Sequence, residues 1–149
     1  MTYQLGKRSK DRLLGVDPRM VAVVEKAITI SEQDFSVICG LRTVQEQEAL
    51  VAKGASQTMK SKHLEGLAVD LMAYIDGGRW ELNLYDEIAD AIRKAAIELG
   101  VNVRWGAAWH KTLNEWDGTA EDLMNEYIDL RRSQGRRPFI DGPHFEIVE

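Results

Sequence analysis

Two short segments of this 149-residue chain concentrate the residue types that bind metal ions. They are SKHLEGLAVD (61–70) and DGPHFE (141–146), and they hold two of the three histidines in the sequence. A catalytic zinc ion takes three protein ligands with nitrogen or oxygen donors and keeps its fourth position for water. His63, Asp70 and His144 would supply such a set.

The spacing of His63 and Asp70 favours a loop followed by a strand over one continuous helix. Seven residues of helix would separate the two Cα atoms by roughly 10.5 Å. Gly66 instead allows the chain to fold back, which puts His63 on a loop and Asp70 within a strand at 67–74. Asp70 would then lie among apolar neighbours, and a buried carboxylate needs a metal ion or another cation nearby. A salt bridge to an arginine would meet that need as well.

Asp141 is a candidate general base. It stands three residues before His144, across Gly142 and Pro143, in a tight connection that can direct both side chains into one cavity. A carboxylate near a zinc-activated water can accept a proton from it and pass that proton to a leaving amine. Asp-Gly-Pro also starts turns, so a purely structural role for Asp141 is the alternative.

The segments that must position these residues form a mixture of helices and short strands. Capping residues, glycine stops and hydrophobic spacing predict helices at 17–30, 43–54 and 84–99, and one that begins at 119. Runs rich in β-branched and aromatic residues predict strands at 34–39, 67–74, 101–105 and 145–148, with a turn at 76–78. Because these elements do not alternate regularly, we predict an α+β domain over 1–149, with a small, largely antiparallel sheet covered by helices and the zinc site at the sheet.

Composition excludes several other classes of protein. The net charge is -5 and 29% of residues are charged, so nucleic acid is not an expected partner. The single cysteine, Cys39, excludes an internal disulfide; it is predicted to be a buried strand thiol, with a cysteine nucleophile as the alternative. No apolar run follows the charged N-terminus, so we expect neither a signal peptide nor a membrane anchor.

Both segments resemble the motifs of a known enzyme family. SKHLEGLAVD fits the pattern S-x-H-x-x-G-x-A-x-D, and DGPHFE fits D-x-x-H, of the zinc D-alanyl-D-alanine carboxypeptidase family. Within that family, GLRT (40–43), RWGAAW (104–109) and the order of elements are most similar to phage endolysins of the L-alanyl-D-glutamate peptidase type. The resemblance covers nearly the full chain.

The resemblance implies a role for each motif residue. One zinc ion per chain would be bound by His63, Asp70 and His144, with Asp141 as the catalytic base. Arg42 and Ser61 would line the substrate site, where Arg42 could stabilise the oxyanion or bind a substrate carboxylate. From the residues alone, Arg42 could equally form a surface ion pair and Ser61 could bond to nearby backbone.

Trp105 and Trp109 resemble the aromatic residues that would form a cleft wall against the substrate. Aromatic residues beside glycine also pack into cores, which is the alternative for both. Related endolysins tend to carry an acid before the second tryptophan, whereas this chain has Ala108, followed by His110, which we expect at the surface. The helical segment 119–135 is longer than in the compact relatives.

The activity implied is hydrolysis of the L-alanyl-D-glutamate bond in the stem peptides of peptidoglycan. A D-alanyl-D-alanine carboxypeptidase or dipeptidase, and an inactive wall-binding module stapled by zinc, are the alternatives. We expect a monomer without stable membrane association. We also expect it to stay in the host cytoplasm until another protein breaches the membrane, and then to act on the wall.

Overall fold

Helices and short strands follow one another along the chain without regular alternation. The computed structural model describes residues 2–56 and 58–149. The helices are α1 (Lys7–Arg12), α2 (Pro18–Ile30), α3 (Val44–Ala52), α4 (Leu82–Leu99) and α5 (Ala120–Ser133), with 3-10 turns at Lys62–Glu65 and Leu113–Glu115. The strands are β1 (Phe35–Cys39), β2 (Ala68–Tyr74), β3 (Gly78–Arg79), β4 (Val103–Trp105) and β5 (His144–Ile147).

The strands form one sheet in the order β1-β2-β5-β4, and the short β3 pairs with β2 as a hairpin. Each strand pairing in the described residues is antiparallel. The predicted α+β class with an antiparallel sheet is therefore confirmed. Neighbours in the sheet such as β2 and β5 are distant in sequence, so their pairing could not be derived from local turns.

Capping residues begin the helices where the sequence predicts. The Asp17 carboxylate accepts from the Arg19 amide ahead of α2, and the Thr43 hydroxyl accepts from the Glu46 amide ahead of α3, as one half of a complete capping box. The short helix α1 was not predicted, because its sequence, KRSKDR, has no apolar periodicity and its N-cap makes no side-chain hydrogen bond.

The two faces of the sheet differ in chemistry. One face carries apolar side chains that belong to the main core. Because side chains alternate along a strand, the residues between them point to the opposite face, and that face carries Asp70, Arg104, His144 and Glu146. The core side chains on the sheet are Phe35, Val37, Val69, Leu71, Ala73, Val103, Trp105, Phe145 and Ile147.

No helix in the described residues combines the length with the apolar character needed to span a membrane.

Asp86 on α4 is a buried acid that makes stability depend on pH. Asp86 is 9% exposed, and within residues 2–56 and 58–149 its Oδ1 has no hydrogen-bond partner. Burial raises the pKa of Asp86 from 3.8 to about 6, and the acids Glu121, Asp90 and Glu87 add to the shift. The folded state therefore holds this proton more tightly than the unfolded chain does.

We expect Asp86→Asn to stabilise the protein above pH 6. The expected gain in the free energy of unfolding is about 1–2 kcal/mol, less than the full pKa shift would give, because solvent screens the charge. The sign follows from the raised pKa: the cost of the ionised carboxylate is absent below about pH 4 and complete above pH 6. Urea unfolding of wild type and Asp86→Asn at pH 4 and pH 8 measures the difference in their free energy of unfolding. Asp129→Asn, at an exposed position on α5, is the control. Equal gains for Asp86→Asn at both pH values would contradict the expectation.

Candidate active site

The register of three strands brings the first group of polar residues together. Asp70 on β2 lies directly opposite His144 on β5, so their side chains share one face of the sheet. On its other side, Asp70 pairs with Cys39, where an irregularity ends the regular pairing of β1. Asp70 thus lies at the centre of a row that crosses three strands.

His63 reaches the same place from a 3-10 turn. The Ser61 hydroxyl caps this turn by accepting from the His63 amide at 3.2 Å. Gly66 ends the turn with a φ of +71°, a conformation that favours glycine, and the chain then enters β2. The predicted loop at His63 is therefore a short, capped turn, and the predicted strand for Asp70 is confirmed.

Two imidazole nitrogens face one carboxylate oxygen. His63 Nε2 lies 3.2 Å from Asp70 Oδ1, and His144 Nδ1 lies 3.1 Å from the same atom. Ligands in a tetrahedral zinc site, at 2.0–2.2 Å from the ion, are separated from each other by roughly 3.3–3.6 Å. Each imidazole nitrogen is therefore spaced from Asp70 almost as two zinc ligands are, although His63 and His144 belong to separate groups of donors within 4.8 Å of one another, which share Asp70.

The remaining ring nitrogen of His63 is already engaged. His63 Nδ1 lies 2.8 Å from the backbone oxygen of Gly40. A carbonyl oxygen can only accept, so Nδ1 carries the proton and donates it. In the neutral ring, the lone pair is then on Nε2, the nitrogen that faces Asp70 and can bind a metal ion.

The three side chains are also coupled electrostatically. Burial alone would lower the pKa of His63 and His144, but hydrogen bonds to Asp70 outweigh it and raise these pKa values to about 10 and about 9. Burial would raise the pKa of Asp70, but the two histidines hold it well below its usual range. Without a metal, the site is therefore held together by ion pairs, and a metal ion must displace protons to enter.

Asp141 lies at the edge of this group. Its carboxylate falls within 4.8 Å of the donor atoms of Asp70 and His144. Burial and the negative charge of Asp70 raise the pKa of Asp141. A raised pKa increases the proton affinity of a carboxylate, which suits a group that must accept a proton and then release it.

Gly106 allows the Asp141 segment to approach β4. The Gly106 amide donates to the His144 oxygen, and the Asp141 amide donates to the Gly106 oxygen, both at 2.8 Å. A Cβ at Gly106 would lie 2.2 Å from the Asp141 oxygen and 3.0 Å from His144 Cβ. Only glycine therefore permits this packing, which fixes Asp141 relative to His144.

Arg42 lies on the side of Asp70 that faces β1, beside Cys39. Its Nη2 is 3.6 Å from Asp70 Oδ2 and donates to Cys39 Sγ at 3.3 Å, while its Nη1 donates to Gln47 Oε1 at 2.7 Å. These contacts hold a largely buried guanidinium beside the candidate metal ligands. Asp70 thus lies beside both an arginine and the other metal-binding side chains, which are the two alternatives that the sequence left open for it.

Comparison with known proteins places the chain in a family. A family model described as phage L-alanyl-D-glutamate peptidase matches residues 1–148. The L-alanyl-D-glutamate peptidase of Escherichia phage T5 is 31% identical over 153 residues, which cover 99% of this chain and all of that protein. The chain belongs to the phage L-alanyl-D-glutamate peptidase family.

A solved structure agrees with this membership. The crystal structure of the L-Ala D-Glu endopeptidase ChiX of Serratia marcescens matches with a TM-score of 0.71 and 36% identity. The match covers 95% of this chain and 87% of that chain. The family assignment, predicted from the two motifs together with GLRT, RWGAAW and the order of elements, is therefore confirmed.

The donor set of this family member fits a metal ion. Two overlapping groups have ligand atoms within 4.8 Å of one another: Cys39 with His63 and Asp70, and Asp70 with Asp141 and His144. Two neutral imidazoles and a carboxylate form the type of set used by catalytic zinc sites. The chemistry of the side chains present therefore agrees with the metal that the family resemblance implies.

The two tryptophans of RWGAAW lie in different environments. Trp105 is fully buried, stacks on Phe145, and donates from Nε1 to the Gly142 oxygen at 2.8 Å. Trp105 therefore has the core position that was the alternative to the expected substrate contact, because no part of its ring is exposed. Trp109 is half-buried and stacks on His144 at 5.5 Å between ring centroids, and exposed Phe139 stacks on Trp109 at 6.0 Å.

Sequence reasoning missed or misplaced four side chains. Cys39 lies in strand β1 as predicted, but it is half-buried beside His63, at 3.7 Å from Nδ1, and not fully buried. His110, expected at the surface, has a side chain only 12% exposed and bonds to Glu126 at 2.8 Å. Phe139 and Glu146 were not considered, although Glu146 lies two residues after His144, on the same face of a strand.

Proposed function

We propose that this chain is a zinc-dependent peptidase that hydrolyses the L-alanyl-D-glutamate bond in peptidoglycan stem peptides. The observation that carries the proposal is the approach of His63 Nε2 and His144 Nδ1 to one oxygen of Asp70. The two relatives named above carry this activity in their names, and the family membership brings it to this chain as a proposal.

In the proposed site, His63, Asp70 and His144 bind the zinc ion. When bound, zinc would polarise the scissile carbonyl and lower the pKa of the attacking water towards about 7. Both histidines must be neutral to ligate, so loading the site releases the protons that stabilise the metal-free form. Asp70 keeps its charge and balances that of the ion.

Asp141 acts as the general base in this proposal. It accepts a proton from the attacking water as the new C–O bond forms at the L-alanyl carbonyl. It then donates that proton to the nitrogen of D-glutamate as the C–N bond breaks. The proximity of Asp141 to His144 and Asp70, and the burial that raises its pKa, support this role.

Arg42, Ser61 and Trp109 are the proposed substrate contacts. Arg42 would bind a carboxylate of the stem peptide or the developing oxyanion through charge-assisted hydrogen bonds. The Ser61 oxygen accepts from the His63 amide, and its own proton remains able to donate to substrate. Trp109, with Phe139 stacked on it, would form an apolar wall.

Cys39 is left out of the proposed ligand set. Its thiol lies near Nδ1 of His63, the nitrogen whose proton points to Gly40, whereas Nε2 faces Asp70. One ion bound to Nε2 would lie on the other side of the ring from Cys39. A structural zinc site fills all four positions with protein ligands, so this arrangement supports a catalytic ion.

Mass spectrometry of digested peptidoglycan tests the bond that is cut. The proposal requires fragments with a new C-terminal L-alanine and matching peptides that begin at D-glutamate. Loss of terminal D-alanine alone would move the enzyme to the carboxypeptidase branch. A preparation with no cleavage but intact wall binding would support the inactive module.

Removal of the metal should abolish wall digestion and leave the fold in place. The reason is that the candidate ligands bond to one another without a metal, while the apolar core lies on the other face of the sheet. Zinc at 100 times its Kd would add about 2.7 kcal/mol to stability, so chelation should lower Tm without changing the circular dichroism spectrum at 20–25 °C.

Turbidity loss of permeabilised cells, followed with a chelator and then with added zinc, measures this effect. Digestion should stop and then return. Unfolding of the chelated protein would identify a structural zinc, and unchanged digestion would exclude a metal enzyme.

The remaining proposals concern assembly and location. All of the proposed groups come from one chain, so a monomer consisting of a single domain over 1–149 would suffice for the reaction. We propose that the enzyme acts on the cell wall after another protein has opened the membrane.

A further inference from the structure

Glu146 is a buried acid next to a proposed metal ligand. It is 6% exposed, and its Oε1 lies 2.8 Å from His144 Nε2. His144 and Glu146 are two residues apart on β5, so their side chains share the face that carries the site. The proposed reaction assigns no role to this carboxylate.

Both carboxylate oxygens of Glu146 have partners, since Oε1 faces His144 and Oε2 faces Arg104, with the charge of Lys62 nearby. A glutamate carboxyl, with an ordinary pKa of about 4, is ionised at neutral pH. Arg104 lies opposite Glu146 across β4 and β5, with its Nη1 3.7 Å from Oε2. A carboxylate in this position is retained at a cost in desolvation, which the paired cations and His144 offset.

The position of Glu146 separates it from the proposed ligands. Within the described residues it belongs to neither cluster of potential metal donors. The His144 ring stands between the two acids, since Nδ1 lies 3.1 Å from Asp70 and Nε2 lies 2.8 Å from Glu146. Glu146 can therefore act on the metal only through His144.

This arrangement decides which nitrogen of His144 is free. An ionised carboxylate only accepts hydrogen bonds, so Nε2 must carry a proton and donate it to Glu146. In the neutral ring, the lone pair is then on Nδ1, the nitrogen that faces Asp70. His63 has the same division of roles but with the opposite nitrogens, because its Nδ1 donates to the neutral carbonyl of Gly40.

We propose that Glu146 is a positioning residue that orients His144 and holds it in the tautomer that binds zinc through Nδ1. The inference rests on the proposed metal site. The carboxylate also makes the imidazole a stronger donor, as partners of metal-bound histidines commonly do. Without Glu146, the ring of His144 could carry its proton on either nitrogen, and part of the population could not bind the ion.

Zinc affinity of three full-length variants tests the inference, measured by competition with a chromophoric chelator. Glu146→Leu should bind zinc 10–100-fold more weakly than wild type, the usual effect of losing such a partner. Glu146→Gln should retain more affinity, because its amide oxygen still accepts from Nε2. Glu25→Gln, at an exposed position on α2, should bind zinc as wild type does.

Nitrogen-15 NMR of the histidine rings supplies a second measurement that a merely structural role would not change. In zinc-loaded wild type, His144 should show a protonated Nε2 and a metal-bound Nδ1, and Glu146→Gln should retain this pattern. If Glu146→Leu does not fold, Glu146→Gln and the wild-type spectrum decide the question.

The outcomes separate this inference from the proposed function. Wild type that binds zinc, together with Glu146→Leu of equal affinity, would overturn the role of Glu146 alone. A wild-type spectrum with an unprotonated Nε2 on His144 would do the same. Wild type that binds no zinc would overturn both proposals.

Discussion

Asp70→Asn should lose bound zinc and wall digestion together, with activity at least about 10³-fold below wild type. Asp70 Oδ1 is the atom that both histidine nitrogens face, so it lies at the centre of the proposed site. An asparagine has nearly the same shape but no charge to balance the ion. Loss of the metal would also remove its activation of water, the main source of a nucleophile at neutral pH.

Zinc content by elemental analysis and turbidity loss of permeabilised cells measure the two effects on one preparation. Asp129→Asn makes the same change at an exposed site and should behave as wild type. Circular dichroism should show that Asp70→Asn is folded, because the replacement is close to isosteric. A variant that retains zinc and full activity would show that Asp70 is not a ligand.

Asp141→Asn should separate the two properties that Asp70→Asn loses together. We expect zinc content to remain at one ion per chain and kcat to fall by about 10²–10⁴, the range for a general acid-base group. In the proposal Asp141 is the base and not a ligand, and its carboxylate lies within 4.8 Å of the donor atoms of Asp70 and His144. An amide in its place can neither accept the proton from water nor return it to the leaving amine.

Single-turnover digestion of a soluble stem peptide, with zinc analysis of the same sample, measures this effect. Asp129→Asn is again the matched control for charge. Full activity in Asp141→Asn would contradict the assignment of the base. Loss of zinc would instead move Asp141 into the ligand set.

Local patterns in the sequence predicted much of the framework. The caps at Asp17, Thr43 and Thr119 depend on side chains within three residues of the helix start, so their prediction needs no tertiary information. The α+β class follows from the order of such elements. The two motifs, with GLRT, RWGAAW and the order of elements, also predicted the family, which the comparisons confirm.

Residues whose role depends on distant strands could not be assigned in this way. Trp105 and Trp109 are both tryptophans and are four residues apart, but only Trp109 reaches the site. Trp105 is on the core face of β4, and its burial depends on packing against Phe145 of β5. Sequence spacing alone gives no measure of that burial.

The sequence by itself determined which side chains are available to bind a metal, where α2, α3 and α5 begin, and the family of the chain. The tertiary structure decided the meeting of Asp70 with His144, the entry of Cys39 into the site, and the contact of Glu146 with His144. The physical reason is the register between strands: a shift of one residue would turn every one of these side chains to the other face. That register is set by burial of the whole apolar face, to which residues far apart in the chain contribute.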